Sequence, residues 1–66
     1  LARILRFQRF LDAARSSPSP RRDLARLAAE TGYADQAHLT RDSRQLAGLP
    51  PAALLDWEAR RMAPAA

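Results

Sequence analysis

Five side chains in one short stretch, Gln36, Ala37, Thr40, Arg41 and Arg44, have the types and spacing to read the edges of base pairs. If residues 35–47 are helical, at about 100° per residue these five share one arc of roughly 140°. Leu39 and Leu46 point away from that arc. In the major groove, Arg bonds guanine O6 and N7, and Gln bonds adenine N6 and N7. Ala and the Thr methyl touch the thymine methyl. The N-terminal part of such a helix reaches base edges. Gln36, Ala37, Thr40 and Arg41 are therefore the base-reading candidates, and Arg44, a turn later, is placed for phosphate. The plainer reading is a helical hairpin whose polar face is only solvated.

Other chemistry finds little support. His38 is the only histidine and there is no cysteine, so no metal-ligand set is in view. It reads as a surface or phosphate-facing residue. Asp12, Glu30, Asp42, Asp56 and Glu58 form no paired-carboxylate arrangement, and there is no Gly-rich phosphate loop or Ser/His/Asp set. The chain reads as a non-enzyme without cofactor. Its formal net charge is +4, and all eleven basic residues are arginine. A basic small domain points to a polyanionic partner. The arginine fork suits phosphate and base edges, although the codon bias of a GC-rich genome explains the absence of lysine equally well. Arg21 and Arg22 fall in the first turn of a helix, where positive charge is disfavoured. They hint at an anionic neighbour, with Asp23 offsetting them. Arg6, with Arg3 and Arg9, offers phosphate contacts on the first helix.

The elements that must position these groups follow from spacing. Residues 1–15 contain neither Gly nor Pro, and Ile4, Phe7, Leu11 and Ala14 recur at helical intervals, widened by Leu1, Leu5 and Phe10. Residues 16–19 read as a Ser/Pro linker. A second helix is expected near 20–31, with Ser19 as N-cap, Pro20 at the first position and Gly32 closing it. Asp35 caps a third helix, about 35–47, and Gly48 with Pro50-Pro51 ends it. Residues 51–62 suit a fourth helix, and 63–66 a frayed tail. Leu24, Leu27, Ala28, Tyr33, Leu39 and Leu46 are the expected core, with the Tyr33 hydroxyl left wet. Strand signals are poor. The class is all-α: a long linker helix, a helix-turn-helix unit over 20–48 and a short C-terminal helix. With 66 residues and no disulfide, the core is expected to be marginal.

Residues 24–51 resemble the second helix-turn-helix of the AraC/XylS family of bacterial transcription regulators. Gly32-Tyr33, Gln36-Ala37-His38-Leu39, Arg41, Arg44 and Gly48-Leu49-Pro50-Pro51 fall in that family's register. The run Arg3–Leu11 resembles the helix that joins the family's two units, so the resemblance covers about residues 1–56. It implies binding to double-stranded DNA in the major groove, in the bacterial cytoplasm. It also implies partnership with an upstream helix-turn-helix and an effector-binding domain of the same protein, with oligomeric state set elsewhere. The start at Leu1-Ala2-Arg3, without initiator Met or signal-peptide pattern, fits a piece of a larger protein. The chain departs from the family where Ser43 and Ala47 replace aromatics and Leu54-Leu55 replaces Tyr-Arg. Leu46, Leu54 or Trp57 would have to fill the space.

A rival reading treats residues 1–15 as a basic amphipathic helix that binds a membrane surface or a partner protein. No apolar run approaches the ~18 residues of a membrane span.

Overall fold

The computed structural model describes residues 2–62, so the expectations for Leu1 and for the tail 63–66 lie outside the described residues. The fold is all-α, with helices α1 (Ala2–Ser16), α2 (Leu24–Glu30), α3 (Gln36–Ala47) and α4 (Pro51–Met62). Helix α3 packs against each of the other three, and α1 also packs on α2. By contrast α4 rests on α3 and touches α1 and α2 only marginally. No membrane-spanning helix occurs among the described residues.

Helix α1 turns a slightly different face inward than its apolar spacing suggested. Phe7, Phe10 and Ala14 are buried, with the two phenyl rings stacked at 6.1 Å. Ile4 is 48% exposed. The rotation has a cause on the inner flank, where Arg3 and Arg6 reach partners on α3. With the bulky phenyls at the centre and these arginines beside them, Ile4 falls to the edge.

The second helix is shorter than expected. Residues 20–23 form a separate tight turn, in which the Asp23 N–H donates to both the Ser19 and Pro20 carbonyls. The linker thus runs through residues 17–23 rather than 16–19. Asp23 leaves helical geometry at φ −99°, ψ 15°, and α2 proper starts after it. The Ser17 hydroxyl donates to the Asp23 carboxylate, and Arg26 binds it from the next turn. That bond to Arg26 holds the Asp23 carboxyl below its ordinary range.

Both glycines close helices in left-handed geometry, as expected. Gly32 has φ +96°, which lets the Tyr33 N–H turn back to the Ala28 carbonyl and the Gly32 N–H reach Ala29. Gly48, at φ +79°, ends α3 with its N–H on the Arg44 carbonyl. At the other end of α3, Asp35 is the expected N-cap: its carboxylate accepts from the His38 N–H at 2.7 Å. Pro51 opens α4 where a missing N–H costs nothing.

Leu24, Leu27, Ala28, Tyr33 and Leu39 are buried as expected, joined by Leu54 and Leu55. Leu46 is not in the core; it is 38% exposed. At this end of α3 the side chain that α1 contributes is the charged Arg3, which bonds Asp42 and Gln45, rather than an apolar group that would cover Leu46. Ser43 is fully buried, and its hydroxyl donates to the Leu49 carbonyl at 2.6 Å. A small residue with a satisfied hydroxyl therefore occupies the site where the resembled family carries an aromatic. Of the residues that could replace the aromatics, Leu54 is buried in the core, while Leu46 is 38% and Trp57 50% exposed.

Gly32→Ala tests the turn. An added Cβ would meet only the Arg6 methylenes, at an ordinary 3.8 Å, so the penalty is conformational rather than steric. We expect about 1–2 kcal/mol of lost stability in a urea titration. An unchanged midpoint would contradict the role assigned to this turn.

Candidate nucleic-acid interface

One side of α3 is bare and the other is embedded. Gln36, Ala37, Arg41 and Arg44 are exposed and Thr40 is half-buried, whereas Leu39, Asp42 and Ser43 are buried on the opposite side. The arc derived from helical spacing is thus intact as a surface. The Thr40 hydroxyl donates to the Gln36 carbonyl at 3.0 Å. It offers the surroundings a methyl and an acceptor rather than a donor. Among the described residues, neither Arg41 nor Arg44 has a carboxylate within 4.0 Å. Both guanidiniums keep their donor forks unengaged by carboxylates.

Beside the arc lies a second basic cluster. The Arg6 guanidinium stacks over the Tyr33 ring at 5.3 Å, and the His38 ring meets Tyr33 edge-on at 5.0 Å. Arg6 Nη1 lies 3.3 Å from His38 Nε2, and the Ala34 N–H faces His38 Nδ1 at 3.4 Å. A neutral imidazole accepts through only one nitrogen. Two donors converge on a ring that can satisfy one of them, so an N–H in this partly exposed cluster is left to solvent.

Behind the arc, Arg3 Nε binds Asp42 Oδ1 at 3.0 Å, and Arg3 also bonds Gln45. The Tyr33 hydroxyl and Asp42 Oδ2 are both shut off from solvent, and neither meets a partner at hydrogen-bond geometry. A slight rotation of either side chain would join this donor to this acceptor. The hydroxyl was expected to stay wet; instead it is enclosed, because the ring lies flat beneath Arg6 and against α3. Burial, reinforced by the Asp42 carboxylate, pushes the Tyr33 phenol up to about 12, against the opposing pull of Arg6 and Arg3.

The remaining phosphate candidates sit elsewhere. Arg21 pairs with Asp56 at 3.2 Å, and Arg21 and Arg22 line a groove with Ala52, Leu55 and Ala59 of α4. No residue of the α3 arc takes part in that groove. The structure therefore brings Gln36, Ala37, Thr40, Arg41 and Arg44 together, sets Arg6 and His38 beside one another, and separates Arg21 and Arg22 from both groups. Sequence reasoning missed the Arg3–Asp42 pair. Its one signal was an acid three residues after Leu39, on the apolar side of the third helix, where a buried charge needs a cation. No known protein family, curated protein or solved structure matches the chain.

The enclosed phenol makes stability pH-dependent at the alkaline end. Below about pH 10 the phenol is protonated in folded and unfolded chains alike. Above that, the unfolded chain loses the proton while the folded chain keeps it until about 12. Stability should fall across this window by up to ~1.4 kcal/mol per pH unit. Urea titrations of the parent and Tyr33→Phe near both ends of the window check this. Equal alkaline losses in the two proteins would refute it.

Proposed function

We propose that the chain is a sequence-specific, double-stranded DNA-binding module of a bacterial transcription regulator of AraC/XylS type. In this reading α2, its glycine turn and α3 act as a helix-turn-helix, and α3 enters the major groove. The observation that supports it most is the division of α3. Four of the five residues of its polar arc are exposed and Thr40 is half-buried, with two arginines free of carboxylates, while Leu39, Asp42 and Ser43 anchor the helix in the core. Arg41 and Gln36 bond purine edges, and Ala37 and the Thr40 methyl touch thymine. Arg44 meets phosphate, and Arg6 with His38 meets a flanking phosphate, whose oxygens would take the place of water at that cluster. Arg21 and Arg22, drawn toward α4, have no part in this contact.

A single module of this size makes few phosphate contacts. Its non-specific Kd should lie near 10⁻⁴–10⁻⁶ M, roughly, at physiological salt. High specificity then requires an upstream helix-turn-helix in the same protein, since linking two modules raises avidity through effective concentration. An effector-binding domain and action in the cytoplasm, on the nucleoid, belong to the same proposal. The rival membrane reading of α1 is disfavoured by packing. Phe7 and Phe10 are buried against the bundle, and among the described residues of α1 the exposed large apolar side chains are Ile4 and Leu5.

Sites selected from random duplexes would give the probe. Arg41→Ala should weaken binding to the selected site by about 1–3 kcal/mol and relax one base position. Arg44→Ala should weaken all duplexes alike and reduce the salt slope by about 1. Failure of the parent to enrich any sequence, together with unaltered binding by both variants, would sink the reading.

A further inference from the structure

Helix α4 packs mainly on α3, and a groove lies between α4, the Ser/Pro linker and the C-terminal end of α1. The groove has two halves that share Pro20, Leu55 and Ala59 as a common floor. Trp57 borders one half. It is 50% exposed, with the Arg61 guanidinium 4.7 Å from its ring centre. A large aromatic left half bare beside an apolar floor is the kind of surface that a partner covers.

The charges along the rim restrict that partner. Both carboxylates lining the groove are already engaged: Glu58 with Arg15 at 3.0 Å and Asp56 with Arg21 at 3.2 Å. Arg22, in one half, and Arg61, in the other, meet no carboxylate among the described residues. An apolar floor thus lies between two unneutralised cations. A second copy of the chain is a poor occupant. Each of its seven acidic side chains already serves an ion pair or, for Asp35, a helix cap. A phosphate backbone would satisfy the arginines but bury no apolar surface against Trp57 and Leu55.

We propose that this groove docks an acidic amphipathic segment of another protein. Apolar side chains of that segment would lie on Leu55, Ala59 and Trp57, and its carboxylates would reach Arg22 and Arg61 at the two ends. The surface is separate from the α3 arc, so it can be occupied whether or not DNA is bound.

Trp57 is the only tryptophan, and its emission therefore reports on this groove alone. The chain would be titrated with a blocked peptide of leucine and alanine flanked at both ends by glutamates. A saturable blue shift is expected as the ring leaves water. In the double variant Arg22→Glu, Arg61→Glu the affinity should drop by about tenfold or more at low salt. Both side chains are exposed, and unchanged helical circular dichroism would show that the variant still folds. A matching peptide with lysines in place of the glutamates should give no shift. Several results would overturn the proposal. These are no shift with the acidic peptide, an equal shift with the lysine peptide, or a shift on raising the chain's own concentration. A larger shift with phosphatidylglycerol vesicles or with duplex DNA than with the acidic peptide would also overturn it.

Discussion

Three elements meet on Tyr33, and the rest of the molecule is arranged around that meeting. Its backbone N–H closes the end of α2 by bonding the Ala28 carbonyl. Its ring carries the Arg6 guanidinium from α1 on one face and meets the His38 ring of α3 edge-on. Its hydroxyl is enclosed beside the Asp42 carboxylate. The backbone bond is possible only because Gly32, one residue earlier, adopts a positive φ that other residues resist. A turn only a few residues long thereby fixes how α2, α3 and α1 sit together. Without it, α3 would have no reason to present one side to the core and the other to solvent.

Local signals made most of the helices legible, and tertiary ones did not. Asp35, Gly48 and Pro51 marked the limits of α3 and α4 to within a residue, because caps and breakers act through the backbone next to them. The start of α2 was less legible. Ser19 and Pro20 do begin a helical turn, but the bonds from Ser17 and Arg26 to Asp23 interrupt it before α2. The exposed arc of α3 could be read from periodicity alone. Its inner face could not be read in full. Asp42 had no partner that local spacing could supply, because its cation, Arg3, lies thirty-nine residues away. Leu46 shows the opposite failure: its position on the helix was right, but α1 meets that end of α3 with the charged Arg3 rather than with an apolar side chain. Periodicity says which way a side chain points, not what stands in front of it.

Burying Ser43 illustrates how so short a chain closes a core. An aromatic at that position would add apolar burial, but α3 and the following loop would have to part to admit it. With serine, the loop comes close enough for the hydroxyl to bond the Leu49 carbonyl, so the buried polar group is satisfied. Leu54 and Leu55 then supply the missing apolar surface from α4. Helix α4 thus packs mainly on α3, and the groove lies where α4 faces the linker and the end of α1.

The arginines divide the surface according to how each is held. Arg3, Arg15, Arg21 and Arg26 are committed to carboxylates, and they tie helices or turns together. Arg6 and Arg61 lie over aromatic rings, which orient a guanidinium while leaving many of its donors available. Arg41 and Arg44 are held by neither device. A net charge of +4 therefore understates the local contrast. Positive charge that folding has already used is silent toward partners, because each pairing carboxylate cancels its field at short range. Among the described residues, the arginines without a carboxylate are Arg41 and Arg44 on the α3 arc, Arg6 on its flank, Arg22 and Arg61 along the α4 groove, and Arg9 and Arg60. The α3 arc and the α4 groove share no lining residue, so these two sets of cations lie on separate surfaces.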